Sequence, residues 1–344
     1  MNKIINISAA LCLIVTILSG CNKLPDNISD EKSLVYLSAG VTAVKSPFDA
    51  EEPNSNMHLN ALVCASTEQY SFPSNGGDGT EDGTIGRHLQ VEFQSGNSQL
   101  INGIYYNETD EYRKTVFFTA FHPQEWTFTS NSRASRSFDG SDDIMYAPTV
   151  TGGYERETPT LNFNHLLTWL KLEICAENED VAAAWGDITS LTIESSNQIA
   201  IDLSKAVADV SFGNEKVQMN FFKPGSDNVF LPSGDTYSMK VNAEEVGYVL
   251  CEAVQATAID LYPPYDRIPE YYINIQSQHR SVKVPVDLRT GINNETGEET
   301  YFIGSTMGQQ FTLSLKFKMG NTVTVTTGIT DWQTGGIGIG KIEE

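Results

Sequence analysis

Short runs in which apolar and polar residues alternate recur along most of the chain, and their period of two is that of strands with one buried face. Leu34-Val35-Tyr36-Leu37 leading into Val41-Thr42-Ala43-Val44, then Leu89-Gln90-Val91-Glu92-Phe93, then Thr115 to Phe121 are β-branched or aromatic and bounded by Gly, Asn, Ser or Pro. The same holds for Ile188 to Glu194, Gln198 to Leu203, Tyr237 to Val241, Tyr271 to Ile275, Phe311 to Phe317 and Thr322 to Thr327. Their lengths and the turn residues between them predict an all-β protein of antiparallel sandwich type. Helix signals are sparse. Asp180 to Trp185 predicts one short turn, and nothing after residue 20 sustains a helical apolar period.

The one long apolar run lies at the start. Lys3 precedes Ile4 to Leu18, which is short for a membrane span, and Leu18-Ser19-Gly20-Cys21 closes it with small residues before a cysteine. This is the pattern of a bacterial lipoprotein signal covering residues 1 to 20. The thiol of Cys21 would carry the lipid, and acylation of the freed amine would add the further chain that stable anchoring needs. Polar Asn22 to Lys32 follow at once, which speaks against a transmembrane helix.

Removal of the signal removes Cys12 and leaves Cys64, Cys175 and Cys251 beside Cys21. Three thiols cannot all pair internally, and none has C-x-x-C spacing. Cys64 and Cys175 sit in apolar runs, so the thiols read as small buried hydrophobes in strands, with one disulfide between two of them as the alternative.

Charge narrows the partners. With 44 acidic and 22 basic residues the net charge is −22 over 344 residues, which disfavours nucleic acid and suits a soluble, crowded extracellular surface. The acidic clusters Asp49 to Glu52, Asp78 to Asp82 and Glu295 to Glu299 lie among Gly, Asn and Pro on solvated loops. A chain of this length accommodates two cores. The Gly- and Pro-bearing stretch from Thr151-Gly152-Gly153-Tyr154 to Pro159 marks the best boundary, giving one sandwich over 21 to 160 and a second over 161 to 344.

Catalytic patterns are thin, and the chain reads as a non-enzyme with no cofactor. His58, His88, His122 and His279 lack H-x-x-E-H or H-x-H partners, so no metal site is expected. No G-x-S-x-G elbow occurs. Asp142 and Asp143 are neighbours that point apart in an extended chain and form no glycosidase pair. Asp78 and Asp82 lack the spacing of an EF-hand loop. His165, beside Leu166 and Leu167, reads as a packed or capping histidine. Tyr105-Tyr106, Tyr262-Pro263-Pro264-Tyr265 and Tyr271-Tyr272 are either packing residues or a platform for sugar rings, which keeps a glycan-binding surface lipoprotein as the alternative.

Asp143-Ile144-Met145-Tyr146-Ala147 followed by Leu161-Asn162-Phe163-Asn164-His165-Leu166-Leu167 resembles the D-hydrophobic-hydrophobic-A and F-x-H signature of the fimbrillin family of Bacteroidales lipoproteins. Gln310 to Phe317 and Ile329-Thr330-Asp331-Trp332-Gln333-Thr334-Gly335-Gly336 are similar to that family's closing strands and terminal Trp-Gly element. The resemblance implies two transthyretin-like β-sandwich domains in a subunit of a surface fimbria, a type V pilus. It implies an outer-membrane lipoprotein precursor whose first strand a trypsin-like protease removes, so that a strand of a neighbouring subunit can take its place. Leu34 to Val44 corresponds to that strand, and Gly336 to Ile342 fits a donor strand or a final sheet edge. The family's protease cuts after Arg, whereas here the first Arg after Cys21 is Arg87 and Lys45 occupies the expected place. Cleavage after Lys45 would leave Ser46 as the new terminus; without it the chain would keep strand and lipid, as an anchor subunit would.

Overall fold

The computed structural model describes residues 32–41, 58–72, 86–94, 98–107, 114–154, 156–204, 207–254, 269–288, 290–293, 299–301 and 305–330. Cys21, Lys45, Ser46, Asp78, Asp82, Tyr262, Tyr265, Trp332 and the Gly336 to Ile342 segment lie outside the described residues.

Strands dominate, as the alternation predicts. The first half contains β1 (Lys32–Val41), β2 (His58–Ser66), β3 (Gly86–Gln94), β4 (Gln99–Asn107), β5 (Thr115–His122), β6 (Thr127–Ser130), β7 (Arg133–Ser137), β8 (Met145–Gly153) and β9 (Thr160–His165). Then come β10 (Thr168–Ala176), α1 (Glu179–Trp185), β11 (Ile188–Ser195), β12 (Gln198–Asp202), β13 (Asp209–Phe212) and β14 (Val217–Asn220). The remainder holds β15 (Glu244–Cys251), β16 (Tyr271–Ser277), β17 (Ser281–Val286), β18 (Thr290–Asn293), β19 (Glu299–Tyr301), β20 (Gln310–Phe317) and β21 (Val323–Thr330).

Four sheets result. Their orders are β3-β2-β5-β8-β9-β1-β4, β15-β10-β20-β21-β18-β19, β14-β11-β16-β17 and β13-β12-β7-β6. The expectation of purely antiparallel pairing is corrected: β1 runs parallel to β9, β10 to β20 and β18 to β21. Parallel partners need long crossovers. Each of these strands finds its mate far along the chain, where alternation alone carries no information on direction. In β10 and β20 the apolar faces come into register, Leu170 against Phe311, Leu172 against Leu313 and Ile174 against Leu315, all buried.

One further expectation is corrected. Tyr237 to Val241 is not a strand: Tyr237 exchanges backbone hydrogen bonds with Ile188, whereas Lys240 O accepts from Ala176 N, so its two ends serve different strands and no ladder extends. Gly152 and Gly153 belong to β8 and pair with Val116 and Thr115. A β-carbon on Gly152 would lie 2.0 Å from Tyr106 Oη, so only glycine lets that ring pass over the strand.

The single predicted turn forms α1. Asn178 Oδ1 accepts from Val181 N at 2.9 Å, Glu179 and Asp180 occupy the first turn where the helix favours negative charge, and Gly186 at φ 69° ends it. Val181 and Trp185, four apart, bury the inner face, and Trp185 packs edge-on against Phe317 at 4.9 Å.

Among the described residues apolar side chains gather in two clusters. One contains Val35 and Leu37 of β1, Val63 of β2, Phe118 of β5 and Phe163 of β9; the larger one contains Leu172 of β10, Trp185, Ile193 of β11, Tyr248 of β15 and Leu315 of β20. β8 feeds both. Met145 and Ala147 enter the first cluster, whereas Tyr146, on the opposite parity, enters the second. Phe121 of β5 likewise leaves the first cluster and packs against Phe72, Trp126 and Tyr146 at 5.3, 4.8 and 5.6 Å. The β6–β7 hairpin also joins the halves, because β7 pairs with β12 across residue 160.

Candidate functional site

Strand β1 lies inside its sheet, not at an edge. Lys32 to Leu37 pair antiparallel with β4, and Ser38 to Val41 pair parallel with β9, so one strand is held by two partners on opposite sides. Val35 and Leu37 point into the core and are fully buried; Tyr36, of opposite parity, is exposed. Ser38 adds a backbone bond to Pro159 O at 3.1 Å and a hydroxyl contact with Thr160 at 2.7 Å. Loss of β1 would free the backbone edges of β4 and β9 together and uncover the apolar slot of Val35 and Leu37. Such an edge-plus-pocket combination is what strand addition requires.

The two polar residues of the central signature meet. His165 Nδ1 lies 2.6 Å from Asp143 Oδ2, with both side chains buried. The backbone brings them together, since Met145 pairs with His165 and Leu166 N donates to Ile144 O at 2.9 Å. Asp142 turns the other way and binds Arg136 Nη2 at 3.1 Å, so the adjacent carboxylates do not act as a pair. Arg136 Nη1 donates to Glu125 Oε2 at 3.0 Å and to Glu125 O at 3.1 Å, and this guanidinium holds the Glu125 carboxyl below its usual range. His122 Nδ1 contacts Asn60 O at 2.8 Å, and burial pushes its pKa down.

A second polar network ties the ends of several strands. Glu270 Oε1 accepts from Ser305 N at 2.9 Å and Oε2 from Leu288 N at 2.6 Å. Tyr271 donates to Glu252 O at 2.5 Å and contacts Ser305 Oγ at 2.8 Å, and buried Glu252 is paired with Lys216. None of Glu270, Glu252 and Arg136 stands out in the sequence, where each is an isolated charge between strand patterns. The only available hint is a charged residue directly flanking an apolar run, as Glu252 follows Val249-Leu250-Cys251.

The other sequence-selected residues separate. Cys64, Cys175 and Cys251 are free thiols on β2, β10 and β15, with Cys64 and Cys251 buried and Cys175 half-buried, and burial raises all three. Tyr106 and Tyr271 are buried, whereas Tyr105 and Tyr272 lie on the other faces, so neither adjacent pair forms a flat aromatic platform. Lys283 Nζ sits 4.3 Å over the Tyr272 ring. Among the described residues, no three His, Cys, Asp or Glu side chains gather as metal ligands would.

No family model and no curated protein matches the chain. Among solved structures it is similar to a candidate cell adhesion protein of Bacteroides uniformis, at 12% identity and TM-score 0.49, over 88% of this chain and 99% of that one. A candidate cell adhesion protein of Bacteroides ovatus matches at 14% identity and TM-score 0.44, over 87% and 98%. A fimbrial protein of Bacteroides vulgatus matches at 9% identity and TM-score 0.40, over 87% and 99%.

Proposed function

We propose that this chain is a non-catalytic structural subunit of a cell-surface fimbria, made as an outer-membrane lipoprotein with its lipid on Cys21. In this reading residues 21 to 160 and 161 to 344 form two transthyretin-like sandwiches joined by the β6–β7 hairpin. Cleavage after Lys45 leaves Ser46 as the new terminus and releases β1, and an extended strand from a neighbouring subunit enters the slot. The partners are other fimbrial subunits and the membrane reached through lipid, with adhesion as the outcome. The observation that carries the proposal is the position of β1, paired to β4 on one side and β9 on the other, with Val35 and Leu37 filling a dry slot. The uncut chain is then closed and monomeric. A replacement strand restores both ladders, and its release requires breaking many cooperative contacts at once.

Native trypsin treatment of the full-length protein tests this. Detergent-resistant ladders that begin with Ser46 and disappear on deletion of residues 336 to 344 are expected. Protein trimmed at Lys45 that stays monomeric at high concentration, with or without companion subunits, overturns the assembly step. Retention of lipidated Cys21 on the mature surface protein would instead make this an anchor subunit that keeps β1.

A further inference from the structure

A cleft of about 310 Å³ lies beside the β6–β7 hairpin, lined by Glu125, Trp126, Thr127, Ser135, Arg136 and Ser137. That is near the lower bound for small-molecule sites. We infer that it binds one ring of a neutral saccharide.

The lining chemistry argues for this class. Trp126 is half-buried, packs one side against Phe121 at 4.8 Å, and commits its indole N–H to Pro123 O at 3.0 Å. Its apolar surface is what remains to offer a ligand, and a sugar ring presents a matching face of C–H groups. Thr127 and Ser135 are directly opposed in the β6–β7 register, which places two hydroxyls side by side, each able to donate and accept. The Glu125 carboxylate stands exposed at the rim, and the Arg136 guanidinium, 11% exposed, is held between Glu125 and Asp142. Its Nε is buried and makes no hydrogen bond among the described residues.

Charge selects among ligands. One guanidinium between two carboxylates leaves the group at net −1, so phosphate, sulfate or an acidic sugar gains nothing from Arg136. A neutral polyol meets fixed donors and acceptors without like-charge repulsion. This inference is independent of strand assembly, since every lining residue lies outside β1 and its two partners.

Saturation-transfer NMR on the full-length protein with glucose, galactose, mannose, fucose and N-acetylglucosamine as probes provides the test. At least one should receive saturation at its ring protons, competitively and saturably, with sialic acid weaker. Trp126→Ala should abolish the signal. The double variant Thr127→Val with Ser135→Ala, on the solvent side of the hairpin, should weaken binding about tenfold, the loss of one to two hydrogen bonds. Absence of saturable binding by all five neutral sugars, or binding unchanged in the double variant, overturns the inference.

Discussion

Asp143 and His165, 22 positions apart in the chain, meet through Oδ2 and Nδ1 at 2.6 Å with 4% and 2% of their side chains exposed. They stand where β8 begins and β9 ends, between residues that feed different cores. Replacing Asp143 by Ala removes one member of a buried pair while the histidine stays in the dry interior. The expected loss is about 1–3 kcal/mol, the range for leaving one buried hydrogen-bonding group without its partner. Chemical denaturation measures it, and a midpoint equal to wild type would show that the pair carries no stability.

The pH dependence near neutrality should trace partly to His122. Burial lowers its folded pKa, so the unfolded chain takes up a proton first, at about 6.5. Stability is therefore full above that pH, falls as pH drops through it, and stops falling below the folded pKa. Denaturation midpoints from pH 7.5 to 5 should decline less in His122→Gln than in wild type. Parallel curves would rule out this histidine as the source.

Gly152→Ala places a methyl group against the Tyr106 hydroxyl, at a position 2.0 Å from Oη in the present packing. Overpacking of this kind costs about 1–3 kcal/mol. Tyr106→Phe, which removes that oxygen, should recover part of the loss in the double variant. Additive effects of the two changes would mean that the methyl group clashes elsewhere.

Glu270 holds the backbone amides of Leu288 and Ser305 with its two carboxylate oxygens. Glu270→Ala should leave both donors unpaired at a cost of about 1–3 kcal/mol each where they stay buried. Hydrogen exchange at these two amides should accelerate while exchange in β10 and β20 changes little. Equal protection in the variant would remove Glu270 as their clamp.

At the other end of the chain, Cys21→Ala tests the anchor. The variant should take up no labelled palmitate and should remain periplasmic. Persistent labelling, or unchanged surface exposure, would count against a lipid on Cys21.

Legibility followed packing. β10 and β20 are plain in the sequence because Leu170, Leu172 and Ile174 and then Phe311, Leu313 and Leu315 alternate without interruption. β7, read as Arg133-Ala134-Ser135-Arg136-Ser137, has one apolar residue and becomes a strand because β6 and β12 supply its hydrogen bonds. β8 hides for the opposite reason: its opening residues Met145, Tyr146 and Ala147 are all buried, Tyr146 toward one core and its neighbours toward the other, so no alternation marks its start. His165 and Asp143 are both visible in the signature segments, yet nothing in their spacing says that they touch. The Arg136 group is invisible in the same way, because Glu125, Arg136 and Asp142 are brought together by a hairpin that the alternation does not announce.

The double pairing of β1 also sets an order of events in time. Its first half needs β4, and its second half needs β9, with Ser38 meeting Thr160 across 122 positions. Closing so long a loop is entropically expensive and slow compared with forming the neighbouring hairpins. A chain emerging from its N-terminus therefore exposes β1 before either partner is complete. Among the described residues β4 pairs with β1 alone, so the sheet ends at β9 until β1 docks, and the same docking brings β4 in with it.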